Sequence, residues 1–211
     1  MGTLHTLVND YAESDTSPST DVLERIRVIQ FYGIGVPMAG YTLKEAVKLA
    51  LDDPYKDINV LIHSFGGDAY EAIAVVDALM VAKGLLKGGA QLRGIVHGYA
   101  MSAATFILQF CDTRAATSHS LVMVHGIHAD GVAGSQGKID QTQRSMRMLS
   151  DIYRDAYLRR GLDKKTKAQW TKLLKEDTGA YLKAEEALEW GLLDEVLPVG
   201  DVQVRHTGGW S

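Results

Sequence analysis

Apolar residues along the chain fall into short runs that alternate between strand-like and helix-like spacing. After a polar stretch at residues 1–20, the run IRVIQFYG predicts a strand, and TLKEAVKLALDD has helical spacing behind Thr42, which could cap a helix. The run INVLIHS, a glycine pair and the helical DAYEAIAVVDALMVAKG repeat this order with stronger contrast. The first half of the chain therefore predicts successive strand–helix units.

The second half continues the alternation and then becomes mainly helical. The strand QLRGIVHG precedes the apolar segment MSAATFILQF, and SLVMVHG predicts a further strand that ends near His125 and Gly126. Three helices follow, in KIDQTQRSMRMLSDIYRDAYLRRG, DKKTKAQWTKLLKED with an Asp cap, and KAEEALEWG, before the closing strand LLDEVLPV. This order predicts an α/β fold with a largely parallel sheet, whose strands share one carboxyl edge.

Composition indicates the number of domains and the cellular compartment, and it argues against nucleic-acid binding, an internal disulfide and a membrane helix. The 211 residues, 46% of them hydrophobic, predict one domain at 21–200, with a flexible arm at 1–20 and a tail at 201–211. A formal net charge of -4 argues against nucleic acid as the main partner. The single cysteine, Cys111, cannot form an internal disulfide, and no apolar run reaches the roughly 20 residues of a membrane helix. We therefore expect a cytoplasmic protein without a membrane segment.

Three loops, SFGG, GYAMS and HGIH, would meet at the carboxyl edge of the sheet. In GYAMS, Ser102 stands at the predicted start of a helix among small neighbours, where a hydroxyl is reachable and the helix dipole favours negative charge. These features suit a nucleophile. A serine in this place more commonly serves only as a helix N-cap, so both interpretations stay open at this point.

The other two loops offer a base and an anion-binding turn. His125 follows a strand and could accept the serine proton, although spacing alone does not choose it over other histidines such as His63, His97, His119 and His128. Gly66 and Gly67 would let main-chain N–H groups approach a substrate carbonyl, or would simply form a tight turn. No ligand-spaced cluster predicts a metal, and no phosphate loop or cofactor motif is found, so no cofactor is expected.

Five segments occur in the order and near the spacing of a known family: RVIQFYG, DDPYKDINVLIHSFGG, GYAMSAATFIL, SLVMVHG and YLKAEEALEWGLLDEVL. From about residue 25 to 197, the chain resembles the proteolytic subunits of the Clp protease family. The resemblance implies a crotonase-like α/β fold with a handle helix near residues 138–160. It also implies that Ser102 is the nucleophile, His125 the general base, and the amides of Gly67 and Ala103 the oxyanion hole.

The resemblance further implies an assembly and a partner. Family members join two rings, normally of seven subunits each, around a chamber in which peptides or unfolded proteins are cleaved. An unfolding ATPase docks through an aromatic-lined pocket, and the positions that match here are Asn59, Leu61, Val81, Ala115 and Leu197. Only Leu197 has a residue type like that of the family, and the other positions lack its aromatic side chains. We therefore expect a divergent AAA+ unfoldase, a companion subunit or no such partner.

The third member of the catalytic triad departs from the family pattern. Before YLKA, the segment EDTGA is shorter by about two residues, and direct counting puts Gly179 in the place of the aspartate. We predict that Asp177, the nearest acid, orients His125, with Glu176 second. The alternative is that Asp177 is a helix-end residue with no catalytic part.

Four functions fit the sequence to different degrees. A serine endopeptidase uses the serine, the histidine and the glycine pair together. The displaced acid favours a second function, that of a ring-building subunit that does not cleave. The shortened acid segment and the altered docking positions favour a third, that of a phage head-maturation protease. Acyl-CoA chemistry on the same fold ranks last, because it gives Ser102 and His125 no task.

Overall fold

The computed structural model describes residues 28–31, 34, 38–128, 133–161, 167–174 and 179–198. Within them lie seven strands, namely β1 (Val28–Phe31), β2 (Ile58–Ser64), β3 (Leu92–Met101), β4 (Thr113–Thr117), β5 (Leu121–Val124), β6 (Ala180–Lys183) and β7 (Glu195–Leu197). The same residues form six helices, namely α1 (Met38–Asp52), α2 (Ala69–Lys83), α3 (Ala103–Leu108), α4 (Gln136–Gly161), α5 (Lys167–Leu173) and α6 (Ala184–Glu189). The predicted arm and tail lie outside the described residues.

The strands form one seven-stranded sheet that divides at β3. Its main path runs β1-β2-β3-β4-β7, all parallel. The first half of β3 pairs with β4, whereas Tyr99–Met101 pair with β5, which in turn pairs with β6. Because the two halves of β3 have different neighbours, the sheet curls, and β5 ends beside the carboxyl end of β3. The predicted α/β fold is confirmed, with the antiparallel β6 as an exception to the parallel order.

One sheet face and the inward sides of the helices form the core. The alternation in β2 buries Ile58, Val60 and Ile62, and the helical residues Val75 and Leu79 of α2 are equally buried. The predicted cap at Thr42 is wrong. Helix α1 begins at Met38, and the buried Thr42 hydroxyl donates to the Met38 carbonyl, so Thr42 is an interior residue of the first turns.

Helix α4 covers the predicted handle at 138–160 and is about 39 Å long, from 26 residues at 1.5 Å each. No residue from 136 to 148 is buried, whereas Leu149, Tyr153 and Tyr157 reach the core. The helix therefore packs through its second half and extends beyond the core with its first. None of the helices in the described part of the chain is long and apolar enough to span a membrane.

Candidate active site

Ser102 is the single residue between β3 and α3, and its backbone is strained. Its φ of 56° and ψ of −124° make it the only non-glycine residue with positive φ among the described residues. The Ser102 N–H donates to the carbonyl of Met123 in β5, and the Thr105 hydroxyl lies 2.7 Å from the same oxygen. Contacts with β5 therefore hold the strand-to-helix junction in this conformation.

The Ser102 hydroxyl faces a histidine instead of the helix. His125 Nε2 lies 2.7 Å from Ser102 Oγ. Ser102 occupies the N-cap position of α3, but its side chain makes no capping hydrogen bond within the described structure. Ser102 therefore occupies the cap position without capping the helix through its side chain, whose oxygen contacts the imidazole.

The surroundings of His125 favour a neutral imidazole. Burial first of all lowers the pKa of His125, the charge of the neighbouring His128 lowers it further, and a backbone hydrogen bond at Gly126 acts in the opposite direction. A general base must be unprotonated to accept a proton, so these influences suit that role at neutral pH. The rings of His125 and His128 are stacked, with centroids 4.9 Å apart and planes inclined by 11°.

The glycine pair brings a second backbone segment against Ser102. A Cβ on Gly66 would lie 2.8 Å from Ser102 Cβ, and one on Gly67, at φ 150°, only 1.9 Å from the Ile34 carbonyl oxygen. Ile34 bridges to this turn by donating to Gly66 O and accepting from Asp68 N–H. Neither of these two hydrogen bonds involves the Gly67 N–H, so the bridge with Ile34 leaves this amide unused.

Two backbone amides beside the serine could receive a negative oxygen. Ala103 is the first residue of α3, where helix geometry provides no acceptor for an N–H. Across the part of the chain that the structure describes, the N–H groups of Gly67 and Ala103 donate to no other group. Both residues line the same cleft as Ser102. The arrangement can stabilise charge that develops on an oxygen near the hydroxyl.

The cleft has a volume of about 520 Å³ and lies between the three loops and α4. Its α4 wall includes Ser145, Met146 and Leu149. Two contacts tie the start of α2 to this helix: the hydroxyl groups of Tyr70 and Ser145 meet, and the Tyr153 hydroxyl lies 3.3 Å from Ala69 O. The cleft is therefore a bounded groove with a polar reactive end and a partly apolar wall.

The proposed third member of the triad, Asp177, and its alternative Glu176 lie outside the described residues. Gly179, which counting puts in the acid's place, is described and packs directly against His125. Its φ is 65°, and a Cβ there would lie 2.7 Å from His125 Cβ and 2.8 Å from Val124 O. No residue with a side chain fits at this position without a change in the backbone, so the acid of the family pattern cannot stand there.

Of the other histidines that the structure describes, one lies inside the cleft and three lie outside it. His63 Nδ1 lies 2.6 Å from the carbonyl of His97, and His119 is exposed. His128 lines the cleft and was not singled out by sequence reasoning. Its spacing of three residues from His125 was the available signal, and Tyr70, also missed, could have been noticed as an aromatic residue in the first turn after the glycine pair.

Four of the five predicted docking positions share one face of the sheet. Strand register aligns Leu61 with Ile95 and Ile95 with Ala115, and alternation adds Asn59 to this face. Ala115 aligns with Glu195, which puts Leu197 on the same face. Val81 instead lies on α2 and is 54% exposed. This face carries no aromatic residue at the predicted positions.

Comparison with known proteins adds to this geometry. The model of the family described as Clp protease matches residues 13–199. The chain belongs to the Clp protease family. Its fold is the α/β fold of that family, and its class is that of the peptidases, a group of hydrolases.

The curated relatives are distant but cover most of the chain. An ATP-dependent Clp protease proteolytic subunit of Bacteroides fragilis is 27% identical over 184 residues, which are 84% of this chain and 83% of that protein. The protein of the same description from Deinococcus radiodurans is 27% identical over 85% of each chain. One from Porphyromonas gingivalis is 28% identical, over 84% of this chain and 78% of its own.

Proposed function

We propose that this chain is a serine endopeptidase that cleaves peptide bonds by an acyl-enzyme mechanism within a ring-shaped oligomer. One observation carries the proposal: the 2.7 Å contact between Ser102 Oγ and His125 Nε2, at a junction whose strained backbone directs the hydroxyl away from the helix. A serine with a purely structural role needs neither the strain nor a basic partner.

In the first half of the reaction, Ser102 Oγ attacks the carbonyl carbon of the scissile peptide bond. His125 takes the hydroxyl proton through Nε2 as the C–O bond forms, which generates a tetrahedral intermediate with a negative oxygen. The amides of Gly67 and Ala103 donate to that oxygen. His125 then gives its proton to the departing amine, the C–N bond breaks, and an ester remains on Ser102.

In the second half, water replaces the amine. His125 accepts a proton from the water while its oxygen attacks the ester carbonyl, and the same two amides receive the second oxyanion. Collapse of this intermediate breaks the ester bond and returns the proton from His125 to Ser102 Oγ. The lowered pKa of His125 keeps the imidazole unprotonated at neutral pH at the start of each half.

The shape of α4 supports assembly into rings. None of its residues from 136 to 148 is buried, and Met148 and Ile152 are 60% and 43% exposed. Exposed apolar side chains on a projecting helix are suited to packing against a second copy. We propose heptameric rings stacked as a tetradecamer, with a divergent unfoldase or a companion subunit at the sheet face that lacks aromatic residues.

Asp177 stays the proposed acid that orients His125, with Glu176 as second choice. Gly179 supports this proposal indirectly, since this position, directly before β6 and against His125, cannot carry a carboxylate. We expect Asp177→Ala to lower kcat while labelling of Ser102 by a reactive probe persists, because triads retain residual activity without their acid. Near-wild-type turnover would assign Asp177 to the helix-end role instead.

A fluorophosphonate probe tests the proposed function, since it reacts only with an activated serine. We expect stoichiometric labelling of the wild-type oligomer, none in Ser102→Ala, and wild-type labelling in the control Ser118→Ala. Hydrolysis of a fluorogenic peptide should follow the labelling.

A properly assembled ring that neither labels nor cleaves would establish the alternative, a ring-building subunit without activity, for which the displaced acid is the supporting observation. A capsid-maturation protease would label in the same way and differ in its substrate, so cleavage of a capsid precursor in preference to general unfolded proteins would identify it.

A further inference from the structure

His128 is the nearest aromatic neighbour of the proposed base. Its ring lies parallel to that of His125, at 4.9 Å between centroids, and both rings line the cleft that holds Ser102. Parallel rings at this distance restrict rotation of each other about the side-chain torsions. His128 is exposed, so a substitution can remove its contact with His125 without opening the core.

The residue directly before β6 packs against His125 without a side chain. Gly179 packs against His125 Cβ and Val124 O at distances that exclude any Cβ. Among the described residues, no carboxylate hydrogen-bonds to the imidazole, whose side-chain hydrogen bond is with Ser102 Oγ. The imidazole is therefore held by the backbone hydrogen bond at Gly126, by the contact of Nε2 with Ser102 Oγ and, on one ring face, by the stacked ring of His128.

We propose that His128 is a positioning residue, which holds the His125 ring in the plane that aims Nε2 at Ser102. This inference rests on the proposed peptidase function and extends it to a residue three positions along the same loop. His128 exchanges no proton with the substrate in this role. It acts through the orientation of the base and, when protonated, through its charge.

The charge of a protonated His128 lowers the pKa of His125. A protonated His128 disfavours protonation of His125, so the base stays neutral to lower pH. The other titratable groups that line the cleft are Asp68 and Tyr70 at the start of α2 and Tyr153 on α4. Burial and then the charge of Asp68 raise the pKa of Tyr153, so this phenol stays neutral through the working range. Asp68 is held as the N-cap of α2, where it accepts from Glu71 N–H.

Two substitutions separate the ring from the charge. His128→Phe keeps an aromatic face over His125 and removes the charge, whereas His128→Ala removes both. At the alkaline plateau we expect His128→Phe to retain the wild-type kcat and His128→Ala to lose about 2- to 10-fold, the range expected for one aromatic contact. In both variants the acid limb of the kcat/KM profile should move to higher pH, with KM for a short peptide unchanged.

His119→Phe is the matched control, since it makes the same replacement at an exposed position outside the cleft. Its profile should superimpose on that of the wild type. Wild-type plateau rates and an unmoved acid limb in His128→Ala would overturn the proposal. An equal loss of kcat in His128→Phe would also overturn it, and so would a rise in KM alone, which would make His128 a substrate contact.

The outcome is distinguishable from failure of the proposed function. If wild-type protein neither labels with the fluorophosphonate probe nor cleaves peptide, the peptidase function fails. If the wild type is active and the His128 variants match it at every pH, only the positioning role fails. Should His128→Ala prove unfolded by circular dichroism, His128→Asn, which also removes the aromatic face, takes its place: wild-type plateau rates and an unmoved acid limb in that variant overturn the proposal.

Discussion

Helix α3 has a polar cluster at each end, and the two clusters are built in opposite ways. At its carboxyl end, the Arg114 side chain is 2% exposed and binds Asp194 through Nε and Nη2, at 2.9 and 2.6 Å. Its Nη1 donates to Gln109 Oε1 and Gly191 O, at 2.6 and 2.8 Å. Each nitrogen of this guanidinium has an acceptor.

The amino end of α3 combines backbone strain with an unused backbone donor in the described structure. Ser102 adopts a conformation that costs free energy, its helix start keeps the Ala103 amide without an acceptor in the described structure, and its hydroxyl opens onto a cleft. Satisfied hydrogen bonds stabilise a fold, whereas unused donors and backbone strain are suited to a reacting substrate. We therefore expect substitutions at the carboxyl end to change stability, and those at the amino end to change activity.

The largest effect is expected at Ser102, where activity and stability should move in opposite directions. Ser102→Gly removes the nucleophile and also the cost of positive φ, so kcat should fall by about 10³- to 10⁶-fold while the free energy of unfolding rises by about 1 kcal/mol. Ser102→Ala is the control, because it removes the same hydroxyl and keeps the strain. Urea unfolding measures the difference, and equal stabilities of the two variants would show that no strain is relieved.

Arg114→Met should break the carboxyl-end cluster and cost about 3 kcal/mol of stability, because Gln109 and Gly191 lose their partner and Asp194 its counter-charge. Rates per folded molecule should not change. Lys56→Met is the control: it removes an exposed ion pair with Asp53 and should cost less than about 1 kcal/mol. A loss of kcat in folded Arg114→Met would contradict the separation of the two ends.

The same variant predicts a pH dependence of stability. Burial acts to raise the pKa of Asp194, but hydrogen bonds and charge from Arg114 outweigh it, and the pKa is lowered. A carboxyl group with a lowered folded-state pKa contributes stability above its unfolded value near 3.8, and that contribution is lost as pH falls through the folded value. The stability difference between wild type and Arg114→Met should therefore shrink below about pH 4.

Gly67→Ala tests the unused amide at the amino end. Its Cβ would meet the Ile34 carbonyl at 1.9 Å, so the turn must shift and carry the N–H away from the cleft. Loss of one oxyanion donor predicts a fall in kcat of about 10²- to 10³-fold. Gly89 also has a positive φ, of 85°, but open space around it, so Gly89→Ala should cost about 1 kcal/mol of stability and leave kcat unchanged. Full activity in Gly67→Ala would remove this amide from the mechanism.

Sequence patterns predicted the elements that carry their own periodicity. Strand β2 matches the run INVLIHS residue for residue, and α2 fills the predicted helix. Strand β4, with the sequence TRAAT, was missed because it lacks large apolar residues and obtains its burial from β3 and β7. The partner that makes buried Arg114 tolerable stands 80 residues away, where no local pattern reaches it.

At the site, the order of segments indicated Ser102 and His125, whereas their contact depends on the division of the sheet. Strand β5 pairs with the end of β3, and this pairing puts His125 beside Ser102. The place of His128 depends on how the loop turns after β5, which short-range spacing does not specify. The poor fit of any side chain at position 179 likewise follows from the β5–β6 register, not from composition.

The smallest effect is expected where the cleft meets α4. Tyr70→Phe removes the hydroxyl that meets Ser145 and leaves the ring in place, so α4 loses one link to α2. Because this link shapes the groove and does not touch Ser102, KM for a peptide should rise by about two- to fivefold with kcat unchanged. Tyr55→Phe, at an exposed tyrosine outside the cleft, is the control.

A double variant decides whether the hydrogen bond itself is responsible. Ser145→Ala alone should raise KM as Tyr70→Phe does, and the two together should do no more than either, since both remove the same interaction. Additive effects would mean that each hydroxyl contacts the substrate separately. A fall in kcat in either variant would mean that α4 takes part in catalysis. The comparison between the two ends of α3 would then have to include α4 as a third region.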